Sequence, residues 1–155
     1  MLVASEHFGC FGWVGSDRAR FDQKAFIIEA VTRSGTLVIA ADAVRAEVRL
    51  IGLDEKTVQA QACAAYLGRE VVVKLEPLQT RDRRGRLMGY LYLDERTVLN
   101  VELVRAGAAK VDRGFPHSYH AMMDGAEEDA RKHGRGVWSG RSSPSPHVPM
   151  GRGPG

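Results

Sequence analysis

A chain of 155 residues with 44% hydrophobic and 26% charged side chains is sized and mixed for one water-soluble globular domain with tails, which excludes a second full domain and a disordered polymer. Its net charge of +3 admits an anionic partner without specifying one, so the placement of the cations matters more than their sum. No stretch has the apolar length of a membrane span, and Glu6, His7 and Gly9 interrupt any leader-like run, so the expectation is no membrane association and, if Met1 is the native start, a cytoplasmic protein.

Residues 1–22 are glycine-rich and aperiodic and read as an N-terminal extension, loose or laid over the domain as an extra edge. The run KAFIIEAV, residues 24–31, has strand character. The turn RSGT follows, and residues 37–40 make the returning strand of a hairpin. A third strand spans residues 46–53, where period two sets Arg49 on the face opposite Val48 and Leu50. After Asp54 the period changes: Val58, Ala62 and Tyr66 recur in fourfold steps, with Thr57 as cap and Gly68 as stop, which predicts a short helix.

Residues 70–77 and 87–93 are two further strands, joined by the basic segment QTRDRRGR. A second helix is predicted over residues 97–106. A third is predicted from Ser118 to about Gly134, with Tyr119, Met122, Met123, Ala126 and Ala130 inward. The tail SSPSPHVPMGRGPG, within residues 141–155, has the composition of a disordered end. Cys10 and Cys63 lack metal-like spacing, and Cys63 reads as a small core residue. Five strands with a helix after the third and others near the end fit an α+β, mainly β architecture of the five-stranded OB-fold barrel type with about three helices, spanning residues 23–140.

Three blocks carry a more specific signal. VRLIGLDEKT, residues 48–57, resembles the arginine-bearing strand and acidic loop of the staphylococcal nuclease (thermonuclease) family. GRLMGYLYLDERTVLNVELVRAGAAKV, residues 85–111, resembles that family's Gly-Arg turn, fifth strand and Asn-bearing helix. AEEDARKHGRGVW, residues 126–138, resembles its terminal helix and closing Gly-x-Trp. The resemblance implies hydrolysis of DNA or RNA phosphodiesters, with a calcium ion and two arginines on the phosphate and a glutamate activating water. Such chemistry needs guanidinium forks and a hard cation because the pentacoordinate phosphorus gathers negative charge on its equatorial oxygens. By resemblance the catalytic arginines are Arg49 and Arg86.

Departures from the family pattern limit that expectation. The family's opening Asp-Gly-Asp-Thr is here Arg33, Ser34, Gly35 and Thr36, so a calcium carboxylate becomes Gly35. The acidic loop reads Asp54, Glu55, Lys56 and Thr57, with threonine in place of the glutamate base. Asp54 remains as a metal ligand and Glu55 as a displaced one. Calcium seeks about six to eight oxygens, so the expectation is no tightly bound cofactor and at most weak Ca2+. Threonine takes no proton near neutral pH, and loss of a general base costs about 10²- to 10⁴-fold.

The positions of two nucleotide-flanking tyrosines fall on Arg113 and Phe115, and the basic run of Arg81, Arg83, Arg84 and Arg86, with Lys110, suggests a phosphate track. The leading expectation is a domain of incomplete active site that binds single-stranded nucleic acid or another phosphate-bearing ligand, with hydrolysis weak or lost. The alternatives are an active calcium-dependent phosphodiesterase using Asp54 and Glu55, and a protein-interaction barrel.

Overall fold

The computed structural model describes residues 16–140; Cys10, most of the N-terminal stretch and the 141–155 tail lie outside the described residues. Alternating apolar side chains build the strands. In β1 (Ala25–Val31) Phe26 and Ile28 turn inward between outward Ala25, Ile27 and Glu29. β2 (Leu37–Ala41) and β3 (Val44–Leu50) follow, then α1 (Ala60–Ala64), β4 (Glu70–Leu75) and β5 (Leu87–Tyr92). Helices α2 (Leu99–Arg105) and α3 (His120–Lys132) and a 3₁₀ turn (Gly136–Trp138) complete the described chain.

The strands close into a barrel of order β1-β2-β3-β5-β4, in which every neighbouring pair is antiparallel except the parallel pair β3 and β5. Closure leaves no sheet edge, and the interior is filled by Ile28, Leu37, Ile39, Val48, Val73, Leu87 and Leu91, each shielded from solvent. Buried Asn100 on α2 ties the helix to the barrel. Its Nδ2 donates to the Ile51 carbonyl at 3.0 Å and the Gly89 carbonyl at 3.2 Å, and its Oδ1 accepts from the Leu91 N–H at 3.1 Å. Among the described residues no helix is long and apolar enough to cross a membrane.

Several boundaries differ from the sequence expectation. β3 ends at Leu50, because Gly52 at φ +84° turns the chain out of the sheet and Leu53 bridges Val111 instead. The first helix is shorter than its apolar spacing suggests, and Thr57 does not cap it. The Thr57 hydroxyl donates to the Asp54 carbonyl at 2.8 Å and accepts from the Lys110 N–H at 2.8 Å. Met122, expected inward, is 52% exposed: the buried stripe of α3 is Met123, Ala126, Glu127 and Ala130, and Met122 stands one residue, about 100°, off it. Residues 16–21, within the stretch read as an extension, are helical, and Phe21 stacks on Phe26 with ring centroids 5.5 Å apart.

Candidate phosphate-binding site

Arg49 lies on β3 opposite Met88 of β5. Arg86 stands two residues before Met88 and therefore on the same side, so the parallel pairing of two distant segments sets both guanidiniums over one cleft. The cleft has a volume of about 280 Å³, and its lining includes Arg49, Glu55, Arg83, Arg84, Arg86 and Phe115.

Arg86 is the better fixed of the two. Its side chain is 8% exposed, with Nε donating to Asp82 Oδ2 at 2.8 Å, Nη2 2.7 Å from the same oxygen, and Nη1 donating to Thr36 Oγ1 at 3.2 Å. Burial works against its charge, and the neighbouring Glu55 and Asp82 carboxylates more than restore it. Asp82 also shapes the loop, because its Oδ1 accepts the backbone N–H of Arg84 at 2.9 Å and of Arg86 at 3.0 Å. Burial alone would push the Asp82 carboxyl up, but the Arg86 guanidinium and these N–H donors outweigh it and hold it below its ordinary value of 3.8.

Both arginines meet on Glu55. One carboxylate oxygen lies 2.6 Å from Arg86 Nη1 and the other 3.8 Å from Arg49 Nε, while Arg49 Nη2 lies 3.8 Å from Asp112 Oδ2. The 3.8 Å contacts are ion pairs without hydrogen-bond geometry, so Arg49 is held more loosely. The cleft therefore carries an internal oxyanion between its two guanidiniums.

The other expected residues divide. Arg84 and Phe115 line the cleft. Lys110 does not: its Nζ sits 4.9 Å from the ring centroid of Trp138, over which Arg131 also stacks at 4.4 Å. Arg113 is drawn to acids on α3, reaching Glu127 Oε2 at 2.6 Å and Asp124 Oδ1 at 3.0 Å. Arg81 turns from the cleft to Asp17 at 2.7 Å. Asp54 Oδ1 accepts the Lys56 N–H at 3.1 Å.

The donor set does not fit calcium. Gly35 has φ +82°, and a Cβ placed there would lie 2.5 Å from Val58 Cγ1, so apolar packing fills the space that a longer side chain would need. The space of about 20 Å³ between Gly35, Thr36, Arg49, Glu55 and Val58 has one carboxylate in its lining, that of Glu55, where calcium seeks six or more oxygens. Glu55, the nearest carboxylate, is already shared by two guanidiniums.

Sequence reasoning missed Asp82, Asp112 and Thr36 as partners of the arginines. Asp82 had a signal, since an aspartate two and four residues before Arg84 and Arg86 marks a side-chain-capped turn. Asp112 had none, because it reaches Arg49 across 63 residues by tertiary folding alone.

A closed barrel of order 1-2-3-5-4, with Arg49 on its third strand and Arg86 directly before its fifth, is an OB-type barrel with a cleft on its side that two guanidiniums share. The staphylococcal nuclease homologue family matches residues 47–140, and the chain belongs to that family. It is a nuclease-like domain at the family level. A comparison with curated proteins finds no match.

Proposed function

We propose that the domain binds single-stranded nucleic acid, or another phosphate-bearing ligand, in the Arg49–Arg86 cleft with little or no hydrolysis. The observation that carries this reading is the convergence of both guanidiniums on one carboxylate, that of Glu55. Arg86 Nη1, which already meets one oxyanion, and the loosely held Arg49 guanidinium can donate to a phosphate instead, through the two non-bridging oxygens of a diester or the three oxygens of a terminal monoester. Arg83 and Arg84 at the rim extend the positive surface along a backbone, and Phe115 offers a ring face to a base.

The same residues support the reading of little or no hydrolysis. Thr57 spends its hydroxyl on the Asp54 carbonyl and the Lys110 amide, so no base stands at the position that the family resemblance assigns to one. Glu55 faces guanidinium donors and serves as their counter-ion, which leaves it poorly placed to take a proton from water. Asp54 has one oxygen bonded within its own turn, and a lone carboxylate falls short of the six or more oxygens that calcium seeks.

The test is anisotropy of a fluorescent, 5′-phosphorylated octathymidylate across a salt series. Four cations lining the cleft, Arg49, Arg83, Arg84 and Arg86, predict a slope of log affinity on log salt of about −0.7 × 4, near −3. Arg86→Ala should weaken binding by about tenfold or more, the value of a charge-assisted fork. A slope near zero, or binding indifferent to Arg86, would dismiss the cleft as the site. Calcium-dependent cleavage abolished by chelator and by Arg86→Ala would establish the phosphodiesterase reading instead.

A further inference from the structure

We infer that Asp17 is a positioning residue of the cleft, holding through Arg81 the 81–86 loop in the conformation that aims Arg86; the inference rests on the phosphate-binding reading above. The Asp17 side chain is 4% exposed and uses both oxygens. Oδ1 accepts from Arg81 Nη2 at 2.7 Å, and Oδ2 accepts from Arg81 Nε at 2.7 Å and from Thr80 Oγ1 at 3.0 Å. This is a two-pronged guanidinium–carboxylate pair, the arrangement that fixes direction as well as distance.

The remaining Arg81 nitrogen, Nη1, donates at 2.7 Å to the carbonyl of Gly85, the residue directly before Arg86. One guanidinium thus joins the start of the loop, its last turn and a helical segment 64 residues away. Within the loop Asp82 supplies the complementary restraint on Arg84 and Arg86. Gly85 takes φ +78°, a turn conformation that glycine adopts without strain.

Asp17 is itself anchored. Beyond the Phe21–Phe26 stack, Asp22 Oδ1 accepts the Leu75 N–H at 2.9 Å, the Gln23 N–H donates to the Val73 carbonyl at 2.7 Å, and Arg18 reaches the Pro77 carbonyl. The segment before β1 is therefore fastened to β4 and to the connection that leads into the loop. Asp17 does not line the cleft, so any influence on a ligand passes through Arg81.

The rival view of Arg81, as a phosphate contact in its own right, predicts the opposite sign: removing its internal acid would strengthen anion binding. Asp17→Asn and Arg81→Lys are compared with wild type at a temperature where circular dichroism shows each folded. The probes are the octathymidylate and inorganic phosphate, and trypsin cleavage after Arg83 and Arg84 is followed without ligand. The expected result for either variant is about tenfold weaker binding, the usual effect of removing an outer partner that orients a ligating group, with faster cleavage confined to the loop. Unchanged or tighter binding by a folded variant overturns the inference. Should Asp17→Asn fail to fold, Arg81→Lys, which keeps the charge but not the fork, decides by loop cleavage, because a direct phosphate contact would also lose affinity: faster cleavage supports the inference and unchanged cleavage overturns it. Should wild type bind neither probe, the phosphate reading fails by itself, and the loop role stands on accelerated cleavage or falls on unchanged cleavage.

Discussion

At the cleft the decisive residue is Glu55, a carboxylate where the resemblance supplies none of the catalytic groups. Placed between Arg49 and Arg86, it would, on the proposed reading, compete with an incoming phosphate for the same donors and repel it. Its side chain is 40% exposed, so solvent screens the pair and limits its worth to that of a surface contact. Glu55→Gln should therefore tighten octathymidylate binding by only about threefold to fivefold, an effect of under about 1 kcal/mol. Anisotropy that finds weaker binding would make Glu55 a supporter of the cleft rather than its occupant. A second residue-scale expectation concerns His117, whose ring nitrogens are both buried without a hydrogen-bond partner. Burial lowers its pKa from 6.5, His120 lowers it further, and Asp112 and Asp124 oppose them only in part. A histidine with a depressed folded-state pKa favours folding fully above 6.5 and loses that contribution as pH falls, because the unfolded chain takes the proton first. Denaturation midpoints measured between pH 7 and 5 should fall more steeply for wild type than for His117→Gln. Equal slopes would clear His117 of the acid sensitivity. The two arginines were legible through the family resemblance of the segments that carry them, while strand alternation by itself set only the face of Arg49. The partners of those arginines were not: Glu55 could be read only as displaced, since whether its side chain enters the cleft depends on the backbone turn between Gly52 and Lys56.

Among the elements, legibility follows the range of the interaction that makes each one. β1 and β4, with clean alternation, appear close to where the pattern sets them. β5 is buried along nearly its whole length because the helices cover the face the barrel does not, and its composition still marks it as a strand. The end of β3 and the start of α1 were misplaced, since Thr57 is claimed by Asp54 and Lys110, and the latter contact crosses 53 residues that no local window spans. The same holds for α3, where Glu127 occupies a core position because its carboxylate receives the Val111 N–H at 3.0 Å and the Arg113 guanidinium. Helix α2 supplies the clearest test of how an element is held. Asn100→Ala would strip three backbone groups of their side-chain partner, two of them at the parallel junction of β3 and β5 that sets the arginine spacing. Net losses near 1 kcal/mol per bond put the cost at about 3 kcal/mol, to be read from the denaturant midpoint at unchanged slope. A cost well below about 1 kcal/mol would mean that packing, not this amide, seats the helix.

For the molecule as a whole, the proposed ligand binding would be linked to folding through the way the cleft is built. Arg49 and Arg86 come together only because the barrel closes, so an unfolded chain holds no paired arginines and an anion bound in the cleft would recognise the native state alone. Binding to the native state alone stabilises it by RT ln(1 + [L]/Kd), which is about 1.4 kcal/mol at ten times Kd and about 2.7 kcal/mol at a hundred times. At the roughly 2–4 °C per kcal/mol of a chain this size, inorganic phosphate or octathymidylate at ten times Kd should raise Tm by about 3–6 °C. Sulfate and phosphate also stabilise proteins generally by exclusion from their surfaces, so the rise alone is not diagnostic. Its dependence on Arg86 is. Exclusion acts on Arg86→Ala and wild type alike, whereas tenfold weaker binding cuts the linked term in the variant to about 0.4 kcal/mol, a rise of only about 1–2 °C; differential scanning of both proteins in phosphate and in a matched chloride buffer separates the two. Equal rises would mean that the anion senses the whole surface and not the cleft, even with the barrel and its paired strands intact.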